Sequence, residues 1–218
     1  MRLFLDMCVV LYYIGEGDRP DLNKKTLIFV KEKGESGFLL CYYIKEVDIP
    51  KWLRRQKIAY REVLKSLKDK SYSLYSSKEA KNLTSRDKKK VVKLLTIFRN
   101  SETINSIDKI ERIFLYLEQQ INEFFQRYID EFVIPVGEID FELQSHLKNF
   151  LNLGSPIKNE SDAKIIASAI QEHQNKDLVI ITADKQDWNK DLIEEVHNHY
   201  ALKDKYKKLP EIKYLQNM

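Results

Sequence analysis

Apolar residues recur along this chain in two rhythms. The runs Leu3-Phe4-Leu5, Gly37 to Tyr43 and Leu178-Val179-Ile180-Ile181 are short and nearly unbroken, as strands buried on both faces of a parallel sheet are. Elsewhere the apolar positions return every three or four residues, the spacing of one helix face. Such stripes are Leu27, Ile28 and Val30; Trp52, Tyr60, Val63, Leu64 and Leu67; Val91, Leu94, Leu95 and Phe98; Ile110, Phe114, Leu117, Ile121 and Phe125; and Ile165, Ile166, Ala169 and Ile170.

Punctuation between the runs sets the expected boundaries. A strand ends at Leu5 and a helix follows from Val9 to Ile14, closed by the turn residues from Gly15 to Pro20. Asn23 caps a helix reaching about Gly34, and the strand from Gly37 to Tyr43 follows it. From Pro50 to Asp130 there is no glycine, and apolar stripes alternate with Lys, Arg and Glu, which reads as an inserted helical subdomain with a polar turn from Ser71 to Ser77. Phe132 to Val136 is strand-like, Asp140 to Leu151 is helical, and Ser161 is placed to cap the helix that starts at Asp162. The order strand, helix, strand, helix at both ends of the chain predicts a three-layer α/β/α fold on a parallel sheet. Residues 1–50 and 131–200 form its core, 51–130 the helical insertion and 201–218 a C-terminal tail.

Composition narrows the class. With 218 residues, 43% of them hydrophobic, the chain can bury a sizeable core without disulfide or metal staples. The 6 glycines and 5 prolines argue against a disordered or loop-rich scaffold. Cys8 and Cys41 lie in apolar runs with no nearby Cys or His at metal-ligand spacing, so they read as buried free thiols in a reducing, cytoplasmic setting. Phe4 to Ile14 is too short to span a membrane and is interrupted by Asp6, so no membrane association is expected. The net charge of +4 is small, but eight cations against two acids crowd the stretch Lys51–Lys70. Lys51, Arg54, Arg55, Lys57 and Arg61 are its candidates for phosphate contact, with the wet face of an amphipathic helix as the plainer alternative.

The candidate chemistry lies in acids at strand ends. Asp6 follows the first strand, Glu46 the second, and Asp184 and Asp187 the strand ending Ile180-Ile181-Thr182-Ala183. Parallel strands put their carboxyl ends on one edge, where open α/β sheets hold their ligands. Asp162 opens a helix whose small residues, Ala163, Ala167, Ser168 and Ala169, let it approach the sheet closely. Carboxylates gathered this way raise one another's pKa unless a cation neutralises them, and oxygen donors alone select Mg²⁺ or Mn²⁺ over zinc. Two such ions, about 3.5–4 Å apart, suit hydrolysis of a phosphodiester. The competing reading is an ordinary helix cap or turn former for Asp6, Asp162 and Asp187, and a solvated helix face for Glu46.

Leu5-Asp6, Ile44-Lys45-Glu46, Phe132 to Val136, Asp162 to Ala169, and Ile181-Thr182-Ala183-Asp184-Lys185-Gln186-Asp187-Trp188 follow one another in the order of the PIN-domain ribonucleases, and the chain resembles that family over roughly residues 1–50 and 130–190. The resemblance implies that Asp6, Glu46, Asp162 and Asp184 bind Mg²⁺ or Mn²⁺, that Asp187 is a fifth acid or a substitute for Asp184, and that Thr182 orients an acid or a metal-bound water. It implies an endoribonuclease, a toxin or defence role, an inhibitor or antitoxin protein as partner, and a homodimer. Two departures stand out. Pro50 shortens the turn that carries Glu46, which leaves Asp48 or Glu62 as alternatives to it, and the helical insertion is longer than in compact toxins. Other readings are a silent module of the same fold that binds nucleic acid or protein, and a structure-specific DNA nuclease. A phosphatase using an Asp nucleophile is disfavoured, because Asp6-Met7-Cys8 lacks an acid two residues on.

Overall fold

A computed structural model describes residues 1–69, 71–74, 77–100, 106–151, 160–199 and 202–218. In chain order the main elements are β1 (Arg2–Leu5), α1 (Met7–Tyr13), α2 (Pro20–Lys33), β2 (Phe38–Cys41), α3 (Ile49–Lys68), α4 (Ser85–Asn100) and α5 (Ser106–Tyr128). They continue with β3 (Ile129–Val133), α6 (Phe141–Leu151), α7 (Glu160–His173), β4 (Leu178–Thr182), α8 (Lys190–His199) and β5 (Glu211–Tyr214). The chain divides into two compact units, one made of Met1–Asp48 and Glu123–Met218, the other of Ile49–Asn122.

The first unit is built on a five-stranded sheet of order β3-β2-β1-β4-β5, with every pair parallel. Its three inner strands carry the uninterrupted apolar runs: all of β2 and β4 is buried, as are Phe4 and Leu5 of β1. The outer strands β3 and β5 are partly exposed and carry Glu131, Glu211 and Lys213 on their open faces, charges that discourage further strand pairing. From β1 the chain moves to β2 and β3 on one side, then crosses to β4 and β5 on the other. Right-handed crossovers therefore place the connecting helices on opposite faces. α1 and α2 pack on each other, and α6 packs on both α7 and α8, giving the three-layer α/β/α arrangement expected from the sequence.

Several boundaries differ from the sequence reading, each for a local reason. β3 begins at Ile129 and stops at Val133, because Ile134 adopts a left-handed φ of 50° and Pro135 has no N–H to offer the ladder. α2 starts at Pro20, whose fixed φ suits a first helical position, so Asn23 lies inside the helix and its amide reaches back to the Gly15 carbonyl. The stretch 201–218 is no tail: β5 lies within it and completes the sheet beside β4. Gly37, entering β2 with φ 69°, is a position where only glycine fits, since a Cβ there would stand 2.4 Å from Cβ of Asp130.

In the second unit α3 and α4 pack against each other. The face of α3 that carries Trp52, Ala59, Tyr60 and Val63 is buried, together with Gln56 and Glu62. Glu62 is fully buried and accepts hydrogen bonds from Lys65 (3.0 Å), Tyr72 (2.6 Å) and Ser77 (3.1 Å), which satisfies a charge that burial would otherwise make costly. It therefore serves packing in this unit, and the alternative that it completes the acid set is set aside. The expected turn from Ser71 to Ser77 falls partly on residues outside those described.

Candidate active site

Strand order sets the location of the site. β1 is the middle strand, and the connections leaving β1 and β4 run to opposite sides of the sheet, which opens a crevice at their carboxyl ends. Leu5 is level with Ile181, and the Asp6 N–H donates to the Ile181 carbonyl at 3.1 Å. Asp6, Thr182 and Asp184 thus leave adjacent strands at the same height.

Asp6 occupies the N-cap position of α1, yet its side chain makes no capping hydrogen bond to that helix. The carboxylate, 4% exposed, accepts instead from the Thr182 hydroxyl at 2.7 Å and the Cys8 thiol at 2.9 Å, both on Oδ2. The ordinary cap is therefore the poorer account of this residue. Thr182 Oγ1 in turn accepts the Asp184 N–H at 3.0 Å, and Cys8 Sγ accepts the Ala183 N–H at 3.1 Å. With its single proton committed to Asp6, the Thr182 hydroxyl has a fixed direction and positions that carboxylate. Asp184 Oδ1 accepts from the N–H groups of Gln186 (2.8 Å) and Asp187 (3.0 Å), an Asx-type turn that folds 184–187 back over the strand end. Buried Trp188 follows directly and fixes the end of this turn.

Asp162 lies in the first turn of α7, where Ala163, Ala167, Ser168 and Ala169 are all buried and the helix touches both β2 and β4. Burial pushes its carboxyl up to about 8, and the negative charges of Asp6, Asp187, Asp184 and Asp48 push in the same direction. Burial also raises Asp6, with the charge of Asp184 adding to it, against the hydrogen bonds from Cys8 and Thr182 that hold it down. Five carboxylates from four separate stretches of sequence thus gather at this edge, four of them acting on Asp162.

Glu46 is not one of them. After β2 the chain makes a π-helical turn over Ile44–Asp48 and enters α3 directly, with Pro50 in the first helical turn, where its missing N–H costs nothing. A π turn changes which residues share a face, and such turns are frequent at functional sites. Here Glu46 is exposed, while Asp48 is 7% exposed and accepts a short hydrogen bond from the Ser161 hydroxyl. Ser161 is consequently the second residue of α7, spent on Asp48 rather than on capping. The acid after β2 that the structure brings to the cluster is Asp48, the alternative that Pro50 had left open.

Cys8 was read from the sequence only as a buried thiol. It is half-buried and bridges Asp6 to the end of β4; its position two residues after Asp6 was the available signal, one that hydropathy cannot carry. Cys41 is buried, and both cysteines are free. Of the basic candidates, Lys51, Arg54, Lys57 and Arg61 are exposed on α3, whereas Arg55 pairs with the buried Asp87 at 3.2 Å and serves packing. No helix among the described residues is long and apolar enough to cross a membrane.

The donor set at the crevice is made of carboxylate oxygens, the chemistry that suits a hard divalent cation, and the accumulated negative charge is what such an ion offsets. Among the described residues no group of three His, Cys, Asp or Glu side chains stands where it could hold a metal ion, so ligation would require carboxylates to turn about their side-chain bonds. Comparison of the chain with protein-family models, with curated proteins and with solved structures finds no match in any of the three.

Proposed function

We propose that this protein is a metal-dependent nuclease of the PIN-domain type that hydrolyses phosphodiester bonds of RNA. One observation carries the reading: Asp162, at the mouth of the parallel sheet, feels the charges of Asp6, Asp48, Asp184 and Asp187 together. A chain gains nothing in stability from such a cluster, and strongly perturbed acids in a cleft at a topological switch point mark a functional site.

Asp6, Asp48, Asp162 and Asp184, with Asp187, would hold Mg²⁺ or Mn²⁺, whose bound form would supply charge stabilisation for the phosphate and a more acidic water. Thr182 and Cys8 hold the Asp6 carboxylate in one orientation, and Ser161 does the same for Asp48. Asp184 keeps its loop folded through Oδ1. Asp162, pushed up to about 8, retains a proton at neutral pH in the metal-free protein, and a bound cation would favour its ionised form. The free thiols Cys8 and Cys41 suit a reducing compartment such as the cytoplasm.

The test is incubation of the protein with end-labelled RNA and, side by side, DNA of the same sequence, with Mn²⁺ or with EDTA, for the wild type and for Asp6→Asn and Asp162→Asn. Cleavage of RNA that needs the ion and disappears in both variants is the expected result. Cleavage restricted to DNA would make it a DNA nuclease. Binding without cleavage under every condition would instead favour a silent module of the same fold.

A further inference from the structure

The helical unit carries a second chemical feature that the acid cluster does not use. On α3 the exposed residues include Lys51, Arg54, Lys57, Arg61, Lys65 and Lys68, which recur at intervals of three or four and so share one side of the helix. The opposite side holds buried Trp52, Gln56, Ala59, Tyr60 and Val63. The only acid in α3, Glu62, is fully buried, and no carboxylate of the helix itself interrupts the cationic side. Lys65 is engaged by Glu62 and Glu79, and Arg61 stands near enough to Glu79 to pull that carboxyl down. Lys51, Arg54, Lys57 and Lys68 form no ion pair with any described residue; Lys57 lies 6.0 Å above the ring of Phe114. From Lys51 to Lys68 the row extends for about 26 Å at 1.5 Å per residue.

Three partners could answer such a row, and its surroundings choose among them. An anionic membrane is answered by a helix that offers apolar side chains beside its cations, but the apolar side of α3 is already buried. An acidic protein is met by patches in which both signs alternate and fix a register, whereas this side of α3 carries one sign along its whole length. A linear, evenly spaced set of exposed cations is the complement of a phosphodiester backbone. The geometry points to the outer side of α3 as a binding track for the phosphate backbone of a nucleic-acid strand, read through Lys51, Arg54, Lys57 and Lys68 and independent of metal.

This track rests on charge and not on the acid cluster, so it stands or falls separately from hydrolysis. Its test is fluorescence anisotropy of labelled single-stranded RNA and DNA twenty-mers with the full chain in EDTA, over a series of salt concentrations. The wild type is compared with the fourfold variant Lys51→Gln, Arg54→Gln, Lys57→Gln, Lys68→Gln. A control fourfold variant, Lys24→Gln, Lys31→Gln, Lys33→Gln, Lys203→Gln, removes the same charge from exposed positions elsewhere. Each lost contact to a single strand lowers the salt exponent by about 0.7, which at 0.1 M salt is about 5-fold in affinity. Four contacts give an exponent smaller by roughly 3 and a loss of the order of several hundred-fold, with the control within about 3-fold of wild type. Equal losses in the two variants, or unchanged binding in the α3 variant, would overturn the track. Displacement of the RNA by polyglutamate at matched charge would overturn it in favour of an acidic protein partner. Circular dichroism of both variants, expected to match wild type because all eight side chains are exposed, excludes a folding defect as the cause. If the α3 variant loses binding while wild-type protein cleaves nothing, the track survives and hydrolysis fails; if cleavage persists at unchanged KM in that variant, the converse holds.

Discussion

Replacing Asp162 by Asn tests the electrostatics of the crevice without requiring any catalysis. Burial and four neighbouring carboxylates lift the Asp162 carboxyl from 3.8 to about 8. A group whose folded pKa is raised binds protons more readily in the folded than in the unfolded chain, so stability falls as pH rises between those two values. At about 1.4 kcal/mol per tenfold change in proton affinity, the full rise corresponds to roughly 6 kcal/mol of destabilisation above pH 8. That is a ceiling, since uptake of one proton anywhere in the cluster relieves the repulsion felt by all. Asn keeps the shape and loses the charge, so the variant should escape half, about 3 kcal/mol, of the alkaline loss. For a chain of this size each kcal/mol moves the melting temperature by about 2–4 °C. In EDTA, thermal melts followed by circular dichroism from pH 5 to 8.5 should show wild type falling steeply and Asp162→Asn falling less. The lines should cross, with the variant the more stable protein at pH 8.5 by roughly 6–12 °C. A residual slope remains in the variant because burial also raises Asp6. Mn²⁺ at a hundred times its dissociation constant should restore about 2.7 kcal/mol to wild type at pH 8 and less to the variant. Parallel melting curves for the two proteins across this pH range would refute the idea that these acids confront one another.

Three further outcomes follow from individual contacts. Thr182→Val removes the donor to Asp6 and the acceptor for the Asp184 N–H, and should cost about 2–3 kcal/mol in urea unfolding together with Mn²⁺ affinity measured by calorimetry; Thr182→Ser should recover most of both. Asp48→Asn should weaken Mn²⁺ binding by tenfold or more while Glu46→Gln leaves it within about twofold, and the reverse order would return the ligand role to Glu46. Gly37→Ala should lower stability by 2 kcal/mol or more, since it combines a left-handed φ with a Cβ placed 2.4 Å from Asp130; a loss under 0.5 kcal/mol in urea unfolding would show that β2 and β3 can part there at little cost.

The inner strands were legible because burial on both faces writes a continuous apolar run, and β1, β2 and β4 lie within one or two residues of the expected positions. β5 was not legible, because an edge strand such as Glu-Ile-Lys-Tyr alternates weakly and resembles a polar tail. The meeting of Asp6 and Asp184 was legible for a topological reason, since parallel strands deliver their ends to one edge whatever their separation in sequence, and that of Asp162 from the small residues that let α7 approach the sheet. The choice between Glu46 and Asp48 was not, since it depends on a π turn that offsets the helical phase, and phase is what periodicity assumes to be constant. Ser161 misled for a related reason. A serine before an apolar stripe looks like a cap, and only the tertiary partner Asp48 gives its hydroxyl another use.

The same arrangement explains how a sheet this small can tolerate its acids. Asp6 ends the central strand, so it sits where packing is tightest, and an uncompensated carboxylate there would cost several kcal/mol. Its two donors come from side chains fixed by backbone on both sides: Cys8 by the start of α1 and the Ala183 N–H, Thr182 by the end of β4 and the Asp184 N–H. The donors therefore need little ordering when they bind, and their hydrogen bonds pull the Asp6 carboxyl down against the burial that raises it. Asp162 is the acid on which the repulsion accumulates. The cluster thus divides into a carboxylate anchored by two side-chain donors and one on which neighbouring charge accumulates, a split that environment alone imposes on identical side chains. A cation held in the crevice would offset the charge that accumulates on Asp162, so affinity for the ion should rise with pH up to about 8 as that carboxyl loses its proton.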